Sequence, residues 1–456
     1  DLRFSQLAKA MQQSGFVNSL RNNQQPCTIL APSDEAFQKI PKSRLQKILE
    51  DKHAREALLQ NHVIPHPVCL PAVIGEHKMR TMGDEKLKFD CDRKGHTVEG
   101  KRLSADFMMG QNGMLYMLDD LILPNRAKSL MQLFEQEQLF AFLQVIRTAG
   151  LDDTFENFGE YTIFAPSEAA MYEMSSKELL QLKTNRESAR KFVMYHATQG
   201  RIHTDHVSDN QVVMSLDEMN PLRLQVYRKA VGVENAMITK SNIQGMNGNL
   251  HIINKALTPA NISAGDILRK DGNFSIFLQA MERVMEESPE TLELKKAGTS
   301  YTFFVPTDQA FNKLGASRLE RIMDDPNYLM KTIKNHVVEH MIVSESFKPD
   351  LYYDIQTRQS IIDVVKEKSG TLKVNDATMT NYDILNTNGV IHVINKVLLP
   401  EDSDEELAPK RRREVVNKET YKRNVVRNAR IKGEGYVSHS GKQVAEEAKP
   451  SLDSLA

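Results

Sequence analysis

Cys27-Thr-Ile-Leu-Ala-Pro-Ser-Asp-Glu-Ala-Phe37 is the stretch on which the reading of this chain turns, because it occurs three times. It returns as Tyr161-Thr-Ile-Phe-Ala-Pro-Ser-Glu-Ala-Ala-Met171 and as Tyr301-Thr-Phe-Phe-Val-Pro-Thr-Asp-Gln-Ala-Phe311. An apolar run that ends at a proline suits a buried strand leaving its sheet. Ser33, Ser167 or Thr307 then offers a side-chain oxygen to cap a helix. The acidic residue that follows, Asp34, Glu168 or Asp308, is favoured beside the positive helix end. The box therefore predicts a strand, a corner and a capped helix.

A second box also occurs three times, from Asn112-Gly113 to Pro124, from Asn247-Gly248 to Pro259 and from Asn388-Gly389 to Pro400. Asn-Gly is a strong hairpin signal because both residues tolerate positive φ. An alternating strand such as Val390-Ile-His-Val-Ile394 follows it. Pro32, Pro166 and Pro306 lie 134 and 140 residues apart, and the Asn-Gly pairs 135 and 141 apart. Two independent markers share one period, and that period is a whole domain rather than a solenoid turn.

Between the boxes the spacing is helical, as in Leu45, Ile48, Leu49, Leu58 and Leu59, or Leu319, Ile322, Met323, Leu329 and Ile333. The third unit opens on an amphipathic stretch through Phe274, Phe277, Met281 and Val284. Helices come first and most strands later, so each unit is predicted to be α+β. The expected domains are 1–125, 126–260 and 261–401, followed by a tail over 402–456.

Composition sets the outer bounds. Hydrophobic residues make up 40% and charged residues 26%, ordinary for domains with real cores. Lys plus Arg number 59 against 60 Asp plus Glu, so no whole-chain field draws nucleic acid. No apolar run approaches the ~20 residues of a membrane span. The sequence opens on Asp1 with no basic-then-apolar leader and ends without a hydrophobic tail, which reads as a mature product that has lost its signal peptide.

The two boxes in this order, with a central Asn/Tyr-His and a closing Asn-Gly-x-x-His-x-Ile/Leu, resemble the fasciclin-domain family. Nearly all of the chain from Asp1 to Pro400 shares that pattern. The resemblance implies three wedges of β-strands packed with helices. It implies a secreted matrix or cell-surface adhesion protein that engages integrin-type receptors and extracellular matrix proteins, with homophilic adhesion between cells as the alternative. It implies neither enzyme activity nor a cofactor. The first unit departs most: Cys27 stands where Tyr161 and Tyr301 do, and Tyr116 where His251 and His392 do.

Several residues are candidates for chemistry. Asn381-Tyr382-Asp383-Ile384-Leu385 resembles the Asn-Lys-Asp-Ile-Leu motif through which related matrix proteins engage integrins. Asp383 corresponds to Asn242 and Phe107 in the other units, so folding is not expected to need its carboxylate. That carboxylate is instead expected to help coordinate a receptor-bound divalent cation, with Ile384 and Leu385 holding the segment to the domain. Tyr195-His196 matches the family's Tyr-His adhesion region, or else lies in the interior. His336-Val-Val-Glu-His340 fits the H-x-x-E-H pattern of some zinc hydrolases. The repeat argues against that use, because only one histidine recurs, as His62, His196 and His336. The hydroxyls of Ser33, Ser167 and Thr307 have no recurring histidine beside them, which leaves capping as their role.

Asn261-Ile-Ser263 and Asn273-Phe-Ser275 fit the N-glycosylation pattern, the second at a helix start expected to shield it. Cys69 and Cys91 are placed to form a disulfide within the first unit; alternatively Cys69 bonds a neighbouring domain, as family resemblance allows. Cys27 reads as a buried small hydrophobe. After Pro400 an acidic run gives way to ten basic residues from Lys410 to Lys432, a composition expected to be disordered and to bind heparin-like polyanions.

Overall fold

The computed structural model describes residues 2–22, 25–93, 95–157, 159–227, 230–289 and 300–400. The acidic-then-basic tail expected over 402–456 lies outside the described residues.

The first domain contains β1 (Cys27–Pro32), β2 (Val63–Ile64), β3 (His77–Arg80), β4 (Lys86–Asp92), β5 (Gly95–Val98), β6 (Lys101–Gly110) and β7 (Gly113–Leu118). The second contains β8 (Tyr161–Pro166), β9 (Ala197–Gln199), β10 (Gln211–Met214), β11 (Pro221–Tyr227), β12 (Ala230–Val233), β13 (Ala236–Gly245) and β14 (Gly248–Ile253). The third contains β15 (Tyr301–Pro306), β16 (Val337–Val338), β17 (Tyr352–Gln356), β18 (Ile361–Lys366), β19 (Leu372–Val374), β20 (Ala377–Asn386) and β21 (Gly389–Ile394). All three sheets have one order: second strand, first, seventh, sixth, fifth, fourth, third.

The two sequence boxes are thus neighbours in space. The strand of the first box runs parallel to the strand of the second, with Cys27 opposite Gly113, Tyr161 opposite Gly248 and Tyr301 opposite Gly389. The expected hairpin is there, but its turn is shifted by one residue. In the third domain the loop is Thr387–Asn388, with Asn386 paired to Gly389, and of these four residues Gly389 alone has positive φ. Glycine is needed because a Cβ at Gly389 would lie 1.9 Å from the Tyr301 carbonyl oxygen. The asparagine has a separate job in the second and third domains: Asn388 Oδ1 accepts the Ala264 N–H, and Asn247 Oδ1 that of Leu130, tying the first of the domain's long helices to the turn before its last strand.

The corner reads as expected from sequence. Ser33, Ser167 and Thr307 each accept the N–H three residues on, from Ala36, Ala170 and Ala310.

The first-box strands are buried on both faces, so each domain owns two cores. In the third, Tyr301, Phe303 and Val305 pack on helices through Phe277, Met281, Val284 and Ile333. Phe304 points the other way, into the wedge closed by Ile362, Val364, Leu372 and Val374. Helices over Ala264–Asp271, Ser275–Glu287, Asp308–Asn312, Ala316–Asp324 and Pro326–Asn335 cover the first of these cores.

Cys69 and Cys91 are free, which corrects the expected disulfide. Cys69 is exposed between buried Val68 and Leu70, so its thiol faces away from the core. Cys91 continues the row of buried Leu87 and Phe89 along the core-facing side of β4.

The second and third domains share a seam. Tyr227 and Met237 of the second pack against Met341, Val343, Leu385 and Val390 of the third. Around them Arg223 donates to the Thr387 carbonyl at 2.8 Å, and Lys255 lies 3.4 Å from Glu345. Arg223 also pairs with the fully buried Glu234, whose carboxyl is pushed up by desolvation.

Candidate receptor-binding site

Each domain carries the same two polar clamps, and they frame the segment that holds Asn381–Leu385 in the third. In the first clamp a threonine of the first-box strand bridges the chain after the second strand. Thr302 Oγ1 donates to the His340 carbonyl at 2.7 Å and accepts the Ile342 N–H at 2.8 Å. Thr28 and Thr162 do the same with His66 and Val68, and with Gly200 and Ile202.

The second clamp is the recurring histidine. His336 Nδ1 donates to the Thr332 carbonyl at 2.8 Å, and Nε2 accepts the Leu398 N–H at 2.9 Å. His196 bonds Phe192 and Leu257 in the same way, and His62 bonds Leu58 and Ile122. Burial pushes all three imidazoles down to about 4, so they are neutral at physiological pH. Both ring nitrogens of His336 are committed, and Glu339 turns outward to Arg358 at 3.1 Å. The H-x-x-E-H residues therefore do not converge as metal ligands. Among the described residues no group of three His, Cys, Asp or Glu is placed to hold a metal ion.

The motif Asn381–Leu385 occupies a bulge in β20. Asn381 pairs with Val393 and Ile384 with Ile391, so Tyr382 and Asp383 face the single residue His392. The bulge puts Asp383 at φ 60°, a left-handed conformation that Asp and Asn tolerate best. Its N–H, displaced from the ladder, donates to His392 Nδ1 at 3.2 Å, and His392 Nε2 donates to the Ile342 carbonyl. The Asp383 carboxylate turns inward. It accepts the Ser344 N–H at 2.8 Å and the Ser344 hydroxyl, and lies 3.9 Å from Lys255. Its side chain is only 10% exposed. Both oxygens are thus engaged, which corrects the expectation that it reaches out to a receptor-bound cation.

The second domain repeats this geometry with an amide. Asn242, at φ 59°, accepts the Thr204 N–H, donates to Thr204 Oγ1 and gives its own N–H to His251 Nδ1. The first domain solves it differently. Tyr116 replaces the histidine, donates to the Val68 carbonyl and accepts the Leu70 N–H, while its ring meets Phe107 at 5.7 Å.

The other motif residues divide by environment. Asn381 and Tyr382 are exposed, Tyr382 at 44%. Ile384 packs on the helical core and Leu385 on the seam with the second domain. Beside them opens a cleft of about 350 Å³, lined in part by Asn381, Ile384, Phe274, Asn273 and Asp308. Tyr195 and His196 are buried at 2% and 0%. As a receptor-contacting pair they are corrected: the tyrosine packs with Phe164, Leu222 and Leu224, and the histidine is the clamp above. Asn261 is exposed, and so is Asn273, whose amide donates to Asp271; the helix does not shield it.

The bulge was not visible in the sequence, because nothing local announces the register shift. Its one signal was the pairing of Asp383 with Asn242, both suited to positive φ.

Among the described residues no helix is long and apolar enough to cross a membrane. The family model for the Fasciclin domain matches residues 2–124, 137–259 and 272–400. Human periostin is 29% identical over 377 residues, covering 82% of this chain and 44% of periostin. Pig transforming growth factor-beta-induced protein ig-h3 is 28% identical over 398 residues, 87% of this chain and 56% of that protein. Fasciclin-1 of Schistocerca americana is 24% identical over 86% of this chain and 66% of its own length. The chain spans about half the length of the first two of these curated relatives. It belongs to the fasciclin-domain family and carries three copies of the domain.

Proposed function

We propose that this chain is part of an extracellular adhesion or matrix protein that engages integrin-type receptors through the bulge of its third domain. Family membership supports the class. The observation that carries the site is the division of the motif: Asp383, Ile384 and Leu385 face inward, which leaves Asn381 and Tyr382 on the surface beside a cleft. Tyrosine is well suited to such a contact, being large, stiff and amphipathic. Matrix proteins and heparin-like polyanions are further partners in this reading, the latter through the basic tail. Glycans at the exposed Asn261 and Asn273 fit a secreted product.

The test is cell attachment to the immobilised chain, with and without integrin-blocking antibodies. Tyr382→Ala is expected to weaken attachment by about tenfold or more, as for a typical interface tyrosine. Asp383→Asn is expected to leave it intact. Antibody-insensitive attachment, or full attachment by a Tyr382→Ala/Asn381→Ala double variant, would refute this reading.

A further inference from the structure

Two neighbouring strands of the first domain hold four cations in one square. In β4, Leu87 and Phe89 are buried, so Lys86 and Lys88 point outward. The antiparallel register sets Lys78 of β3 opposite Lys88, and Arg80 opposite Lys86. All four residues are exposed. Their backbone positions lie about 5 Å apart across the strands and about 7 Å apart along them. Like charges directly opposite each other destabilise a sheet, so the arrangement gains the fold nothing.

The repeat shows that the fold does not ask for it. One bond marks the same position in each domain: Lys88, Arg223 and Asp363 donate their N–H groups to the side chains of Glu99, Glu234 and Asn375. From there the register matches the four cations to Val212, Met214, Pro221 and Arg223 in the second domain. In the third it matches them to Asp354, Gln356, Ile361 and Asp363. Arg223 is taken up by Glu234 and the Thr387 carbonyl, and the third domain carries two carboxylates instead of cations. Among the three domains the cationic square belongs to the first.

The counter-charges around it hold loosely. Glu76 lies 2.8 Å from Lys88, and Asp84 lies 3.6 Å from Arg80, with every side chain of these pairs at least 45% exposed. Such exposed pairs contribute about 1 kcal/mol or less and give way readily to a better partner. Lys78 and Lys86 pair with no carboxylate among the described residues. Lysines offer compact charges on flexible stems, which suits a densely charged chain more than one shaped anion. No aromatic ring stands among the four to stack a nucleic-acid base, and no apolar side chain to enter a lipid surface.

We infer that the outer face of β3 and β4 binds a sulfated polysaccharide, whose closely spaced sulfates displace Glu76 and Asp84 from Lys88 and Arg80. This site lies on the folded first domain, apart from the basic tail. It does not depend on the receptor reading of the third domain.

Lysine acetylation of the whole chain, mapped by mass with and without heparin, tests it. Lys78, Lys86 and Lys88 are expected to react about tenfold more slowly with heparin bound, and to recover in about 1 M salt, where charges are screened within about 3 Å. Lys177, exposed in the second domain, should not change. Lys78→Asp/Lys88→Asp copies the Asp354–Asp363 pair of the third domain, so it should keep the thermal transitions and abolish the protection of Lys86. Protection confined to Lys410, Lys418 and Lys422 of the tail overturns the proposal, whether or not the double variant folds. So does protection of Lys86 that survives in the double variant. Equal protection by non-sulfated hyaluronan, or by phosphatidylserine vesicles, overturns it as well.

Discussion

The Leu398 N–H points at Nε2 of His336 from 2.9 Å, sixty-two residues away in sequence. A protonated ring has no lone pair to receive it, so folding and protonation compete. The folded-state pKa of about 4 lies below the ordinary value of 6.5 because burial disfavours the charged ring. The unfolded chain therefore binds the proton first. Stability is full above pH 6.5, falls as the pH drops towards 4, and is not lowered further by this group below that. One such histidine accounts for at most about 3 kcal/mol, and His62 and His196 act alike in the other domains. Urea midpoints at pH 7, 5.5 and 4.5 are expected to fall steadily. A pH-independent midpoint over that range would show that the rings are already charged or exposed.

Asp383 and Ser344 give a second prediction. Asn242 makes the equivalent pair of bonds to Thr204 with an amide, so Asp383→Asn keeps donor and acceptor in register. It is expected to lower the stability of the third domain by less than about 1 kcal/mol. Asp383→Ala removes both bonds and leaves a β-carbon at positive φ, for a loss of about 2–4 kcal/mol. Denaturant unfolding of the two variants checks the ordering; equal losses would mean that the carboxylate charge itself, through Lys255, holds the turn.

Gly389→Ala should be far more damaging. The added carbon would meet the Tyr301 carbonyl oxygen at 1.9 Å, in a parallel pair that joins the two halves of the domain. The backbone must separate, and a loss above about 4 kcal/mol is expected, in the range reserved for core disruption. Loss of the third domain's thermal transition checks this. A variant with an unchanged transition would place the strands farther apart than described.

Much of the fold was legible because it repeats. The caps at Ser33, Ser167 and Thr307 needed only local chemistry, and three copies separated signal from chance. The same comparison exposed His336 as a structural residue rather than a zinc ligand. What stayed hidden depends on partners far along the chain. The turn before Gly389 was legible, but nothing near it shows that Tyr301 lies against Gly389, so the close strand approach that requires the glycine was missed. Tyr195 looked adhesive in sequence and is interior because its side chain fills the wedge beside Leu222 and Leu224. Cys69 and Cys91 are close enough in sequence to pair, but one is exposed ahead of a short turn and the other half-buried on a strand, and both are free. Within the motif, the left-handed turn at Asp383 decides which residues face out.

The parallel pairing of β15 with β21 sets how a fasciclin-type domain answers to tension. The chain enters β15 at Tyr301 and leaves β21 at Ile394, the opposite ends of two strands that run the same way. A pull on the two termini therefore slides these strands past each other. It loads the rungs from Tyr301–Gly389 to Pro306–Ile394 together, where a hairpin would open one rung at a time. Sharing the load over six rungs makes this pair resist such a pull better than a hairpin of the same length would. Each of the three domains has such a bolt, so a chain anchored at both ends would lengthen in steps, one domain at a time.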